Sequence, residues 1–227
     1  MTSIRHKPLA TERVSGPDDA YLDAAREAIL AVGWSRTTLT DIARRAGVSR
    51  MTLYRRWPDT QTLLADLMTR EWGRVVGRAG AGAEPGGTVL ERITRGVVES
   101  VRALRSDALL RRVIDVDPEV LLPYLLDRPG RSQEMVAAAL ADLVAEGQRD
   151  GSVRAGDPAT LARAVVLACH GFTLSAHTMV DDPDHSLGRA VDVSAFDAEL
   201  GRLVTGYLAT PHHDAARSAH TAAGTPG

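Results

Sequence analysis

Thr37–Trp57 reads TTLTDIARRAGVSRMTLYRRW, and its pattern decides the fold. Leu39, Ile42, Ala43, Ala46, Val48 and Leu53 are apolar at spacings that place them on the inward faces of two short crossing helices. Ala43 is small where those helices must approach. Gly47 stands where the chain leaves the first helix, a position that favours the left-handed conformation glycine adopts freely. Thr38 can cap the first helix, with Asp41 three residues on as a capping-box-like partner, and Ser49 can cap the second. Outward on the second helix remain Arg50, Met51, Thr52, Tyr54, Arg55 and Arg56. That face is cationic and hydrogen-bonding with one aromatic, suited to a DNA groove and its flanking phosphates.

The run resembles the DNA-binding domain of the TetR family of bacterial transcriptional regulators, whose pattern is roughly TT-x-x-x-IA-x-x-AGVS-x-x-TLY-x-x-F. Thr37-Thr38, Ile42-Ala43, Ala46-Gly47-Val48-Ser49 and Thr52-Leu53-Tyr54 match in register, with Trp57 at the final aromatic position. The motif resemblance covers residues 18 to 70, and beyond them it is one of architecture. It implies an all-α fold: a three-helix, helix-turn-helix DNA-binding domain at the N-terminus and a helical ligand-binding and dimerisation domain after it. It also implies that Thr38, Thr40, Ser49, Arg50, Met51, Thr52, Tyr54, Arg55, Arg56 and Thr60 form the DNA-binding set. Two positions depart from the family. Thr60 stands where many members carry a phosphate-binding lysine, and Thr40 where many carry a longer polar or basic residue.

The rest of the chain agrees with such a division. Residues 1–60 hold ten Lys/Arg against seven Asp/Glu, and the remainder 17 against 22. A mildly basic module on an acidic body suits a nucleic-acid reader. No apolar run reaches the length of a membrane span and the N-terminus lacks a signal-peptide core, so a cytoplasmic protein is expected. A single cysteine, Cys169, excludes an internal disulfide.

Residues 1–17 lack helical periodicity and carry Arg5, Lys7 and Arg13; they read as a disordered terminus or as an arm that touches DNA. The reader is expected over 18–64 and the regulatory body over 65–210, with a disordered tail at 211–227. A buttressing helix runs from Pro17 or Asp18 to about Gly33. Asp59 caps a linker helix that reaches about Ala79, and GAGAEPGG at 80–87 breaks it. Further helices are expected at Thr88–Ser106, Asp107–Asp115, from Glu119 to Pro129-Gly130, and at Ser132–Arg149, the last with Met135, Val136, Ala139, Leu140, Leu143 and Val144 at three- and four-residue spacing.

Ala159–Val180 and Ser194–Ala209 expose more apolar surface than one body needs. A two-fold homodimer pairing both helices with their copies would cover it. Paired readers would then meet successive major grooves roughly 34–36 Å apart in a palindromic operator.

By resemblance, a small molecule bound between residues 70 and 180 would release DNA, with Trp72, Tyr124, Met135, His170 and Phe172 as candidate pocket residues. No nucleophile elbow, phosphate loop or dinucleotide fingerprint appears, so neither an enzyme nor a cofactor is expected. His170 and His177, seven apart with His185 beyond, lack a metal-binding signature. The function read from these observations is a DNA-binding transcriptional regulator, a repressor released by ligand. A helical ligand-binding or scaffolding protein with a degenerate reader is the alternative.

Overall fold

Caps and glycines set the helix boundaries in the computed structural model, which describes residues 17–81, 87–181 and 191–211. Among them the chain forms α1 (Pro17–Val32), α2 (Leu39–Arg45), α3 (Arg50–Arg56), α4 (Thr60–Ala81), α5 (Val89–Ser106), α6 (Ala108–Val116), α7 (Arg131–Arg149), α8 (Pro158–Leu174) and α9 (Ala195–Leu208). Thr38, Ser49, Asp107 and Asp157 each accept the backbone N–H three residues on. Thr88 and Glu91 form a reciprocal capping box, and Asp59 accepts from Thr62 N–H at 2.7 Å. These oxygens satisfy donors that a helix start leaves open. Gly33 and Gly47 follow α1 and α2 at φ +93° and +68°, where a side chain would be strained.

Two expected helices differ. The segment after Asp117 is a 3-10 turn at Pro118–Leu121 followed by a π turn at Pro123–Asp127, because Pro123 has no N–H to continue the ladder. The helix expected to reach Val180 stops at Leu174, where Ser175 N–H closes on Gly171 O at 2.9 Å, and a 3-10 turn follows at Ala176–Met179. The expected N-terminal arm, except Pro17, and the tail beyond Pro211 lie outside the described residues.

Two apolar cores organise the helices. The first joins α1, α2, α3 and the first half of α4 to Leu109 and Val113 of α6. The second joins α5, α7, α8 and α9 around Ile93, Val101, Val144, Val165, Leu200 and Leu208. Residue 64 is therefore not where the first core ends, for Leu67, Met68 and α6 belong to it.

Polar ties reinforce this junction. Arg70 of α4 is nearly buried and faces Asp19 at 3.2 Å and Asp23 at 2.8 Å on α1. Buried Asp117, just past α6, accepts from Trp34 N–H at 2.7 Å and Ser35 N–H at 3.3 Å in the turn between α1 and α2. Burial pushes the Asp117 carboxyl up, but the hydrogen bonds from Ser35 and Trp34 and the Arg112 charge outweigh it and leave it below its ordinary value.

Asp117→Ala would strand both amide donors, and urea unfolding should show a loss of about 1–3 kcal/mol at neutral pH. A lowered folded-state pKa stabilises fully above the unfolded value, about 3.9, and the stabilisation disappears as pH falls through the folded one. The stabilities of wild type and variant should therefore converge in acid.

Candidate nucleic-acid interface and the body cavity

The α2–α3 unit is built as its spacing dictates. Leu39, Ile42, Ala43 and Leu53 are buried, and Ala46 and Val48 pack at the edge of the same core. Trp57 closes α3; it is buried, meets Tyr21 edge-on at 6.1 Å between ring centroids, and donates to Asp66 Oδ2 on α4 at 2.9 Å. Asp66 in turn accepts from Arg131 of α7 at 2.6 Å. The end of the outward helix is thus tied to the body through one carboxylate.

This frame leaves Thr40, Ser49, Arg50, Met51 and Arg55 exposed, and Thr52, Tyr54 and Thr60 half-buried. Met51 is 66% exposed. Thr38 is engaged in its cap, accepting from Asp41 N–H at 3.2 Å and donating to the Asp41 carboxylate at 2.6 Å. Ser49 likewise caps Thr52 N–H at 3.2 Å.

Arg50 and Tyr54, expected to act separately, form one unit. The guanidinium donates to the Tyr54 hydroxyl at 2.7 Å and lies 4.8 Å from the ring centroid. Arg56 is paired with Asp18 of α1 at 2.9 Å and lies over the Trp57 ring, and the Asp18 hydrogen bond and charge raise its pKa. Its charge is therefore partly neutralised by its own chain.

In the body a cavity of about 1030 Å³ lies between α4, α5, α7 and α8. Trp72, Tyr124 and His170 line it. Met135 does not: it is 58% exposed on the outer side of α7. Nor does Phe172, which packs edge-on against Phe196 of α9 at 6.5 Å. The wall instead draws on α5, which offered no candidate, through residues such as Ile93, Val97, Ser100 and Leu104. The signal for them was the three- and four-residue apolar spacing of α5, which could be assigned to either core or cavity.

His170 is held by Gln133, amide to ring nitrogen, at 2.9 Å. Gln133 Oε1 already accepts from Gly130 N–H at 2.6 Å, so its NH₂ is the donor and His170 Nε2 the acceptor. The ring proton therefore sits on Nδ1. Burial pushes the His170 pKa down, which keeps the ring neutral. Cys169, beside it, has its thiol pushed up by burial to about 12 and is no thiolate nucleophile at neutral pH. Among the described residues no group of three or more His, Cys, Asp or Glu is arranged to hold a metal. His185 lies outside them. Among the described residues no helix is long and apolar enough to cross a membrane.

Comparison with known proteins bears on the same elements. Residues 22–67 match the family model described as bacterial regulatory proteins, tetR family. The chain is 35% identical over 187 residues to an HTH-type transcriptional regulator of Mycobacterium bovis, covering 82% of this chain and 92% of the relative. Its fold is like that of the TetR family repressor AlkX from Dietzia sp. strain DQ12-45-1b, implicated in biodegradation of n-alkanes. There the TM-score is 0.61 at 20% identity, covering 85% of this chain and 95% of that one. It is also like that of the SmeT–triclosan complex, with a TM-score of 0.57 at 19% identity, covering 86% and 92%. A helix-turn-helix with an exposed cationic face, on an all-helical body and with a relative of this similarity along most of its length, settles the family. The chain belongs to the tetR family of bacterial regulatory proteins and is a DNA-binding transcriptional regulator.

Proposed function

We propose that the protein is a homodimeric repressor that grips a palindromic operator and lets go when a small molecule enters the body cavity. The observation that carries the reading is the cavity's position against the reader's supports. Gln133 and His170 stand on its wall, and Arg131, two residues from Gln133, holds the Asp66 that fixes Trp57 at the end of α3. The wall also includes Leu110 of α6 and Leu121, both close in sequence to Asp117. A ligand that favours one placement of these helices biases the placement of the reader, and only that difference in affinity does the work. The SmeT neighbour, solved with triclosan, supports a ligand-responsive body.

Dimerisation gives the reader its range. Regulators of this family generally act as dimers. Here the outer faces of α8 and α9 carry exposed Leu167, Leu203 and Tyr207. Exposed Gly171 and Gly206 share these helices, and a Cβ built at either meets no atom within 4 Å. Large apolar groups beside bare backbone suit a second copy packed closely against them.

On the reader, Arg50, Met51 and Thr52 face the bases, with arginine matched to guanine and methionine to a thymine methyl. Ser49, Tyr54, Arg55 and Thr60 hold phosphates. Arg50→Ala should cost about 1–3 kcal/mol and relax preference at one operator position. An equal loss on all sequences would make Arg50 a phosphate contact.

The test of the whole reading is a titration of a labelled DNA fragment flanking the protein's own gene. A shift that weakens with salt supports it, and release by small molecules completes it. The degenerate-reader alternative draws on Thr60 and on Arg56, already paired with Asp18; the absence of any salt-sensitive shift up to non-specific concentrations would defeat the repressor reading and favour it.

A further inference from the structure

The chemistry of the cavity wall narrows what can enter it; this inference rests on the reading of the cavity as the effector site. Two helices supply its long sides. Along α5 the wall residues run from Val89 to Leu104, a stripe ~22 Å long at 1.5 Å per residue. Along α7 they follow one stripe from Ser132 to Arg149, antiparallel to it, with Val89 N–H on Asp150 at 3.0 Å joining the ends. The cavity is therefore a slot, and its middle is aliphatic: Ile93, Val97, Val136, Leu140 and Leu143.

All four formal charges on the wall lie at the end where α5 begins, and they comprise two of each sign. Arg92 pairs with Glu146, Asp150 accepts backbone N–H groups from Val89 and Ser152, and Arg149 is exposed to solvent. Among the described residues, the aliphatic middle and the His170 end of the wall therefore carry no formal charge to neutralise an anion or hold a cation. Burying an unpaired charge there is strongly unfavourable.

The other end offers donors. His170 Nδ1–H has no partner among the described residues once Nε2 is taken by Gln133. The buried Trp72 Nε1–H, on a wall residue of α4, also meets no acceptor among them. The buried orphan on Trp72 calls for an acceptor, and the accessible Nδ1–H of His170 can donate to the same one.

Gly96 supplies the remaining clue. It stands mid-helix in α5, on the wall, where glycine weakens a helix. A Cβ there would meet no atom within 4 Å, so helix packing does not explain the glycine. What it does is leave the middle of the slot open.

We propose that the effector is an uncharged, elongated, mainly aliphatic molecule lying along the slot between α5 and α7. Its hydrogen-bond acceptor, an ester or ketone oxygen, meets the His170 end, and Gly96 makes room for its chain.

The experiment measures calorimetric binding of four probes to the full chain without DNA: methyl decanoate, decane, decanoate and decyltrimethylammonium. Methyl decanoate should bind roughly tenfold or more tighter than each of the others. His170→Phe should erase the preference of ester over alkane. Gly96→Leu should melt no lower than wild type and lose roughly tenfold or more in ester affinity. Decanoate or the ammonium binding as tightly as the ester would overturn the proposal on wild-type protein alone, and so would a folded Gly96→Leu that binds normally. Operator release is scored separately. Ester binding without release would defeat the cavity's role as an effector site and leave the ligand class standing. Release by a charged probe while the ester is inert would do the reverse.

Discussion

Replacing Leu167 and Leu203 with glutamate is expected to yield a folded monomer that binds the operator about 10²–10⁴-fold more weakly than wild type. The two leucines are 68% and 56% exposed, so neither contributes to the core of its own chain. Their helices nevertheless belong to the second core through other faces, with Leu161 and Val165 of α8 and Leu200, Val204 and Leu208 of α9 buried. The substitutions leave that inner packing alone.

Four carboxylates would then meet across a two-fold axis in an apolar contact, where like charges repel and lose their water. A single α3 reads only a few base pairs. In the dimer the second reader binds at the effective concentration set by the first, and the variant loses that advantage. Sedimentation should show a monomer, and DNA titration a weak shift that no longer depends on palindromic spacing. A variant that stays dimeric would place the interface elsewhere.

How much of this was legible in the chain depends on range. The reader was legible because its determinants are local. Thr38 and Asp41, Ser49 and Thr52, and Gly47 act within three or four residues, and the apolar spacing of Leu39, Ile42 and Leu53 needs no distant partner. The ties that set the reader on its body were not legible. Asp117 reaches back 83 residues to Trp34, and Arg131 reaches 65 to Asp66. Nothing in the neighbourhood of either residue marks it as a long-range partner.

The cavity falls between these cases. In α7, neighbours such as Met135 and Val136 point about 100° apart, so an apolar run covers more than one face. Val136 lines the slot and Met135 faces solvent, a choice made by the helices α4, α5 and α8 that pack on α7. Phe172 was similarly ambiguous until Phe196 claimed it.

Asp197→Ala should cost about 3–5 kcal/mol of stability, because it takes the carboxylate from a mostly buried cation. Asp197 lies in the first turn of α9 and is buried, a rare place for a carboxylate. It accepts from Arg102 Nε at 2.9 Å and from Arg105 Nη2, both on α5. The two arginines are not equivalent. Arg105 is 13% exposed, whereas Arg102 is 60% exposed and screened by water. Arg102→Ala should therefore cost less than about 1 kcal/mol.

Burial pushes the Asp197 carboxyl up, but hydrogen bonds from Arg102 and Arg105 and their charges hold it below its ordinary value. A folded-state pKa below the unfolded one gives full stabilisation above about pH 4, lost as pH falls through the folded value. Urea unfolding at pH 7 should separate wild type from Asp197→Ala, and unfolding in acid should bring them together. Because α9 also carries Leu203 and Tyr207 of the face proposed to pair, loosening its first turn should weaken the dimer although that face is unchanged. Sedimentation of the variant at temperatures where it remains folded measures that second effect. An undiminished dimer would show that the outer face of α9 holds its position without the Asp197 anchor.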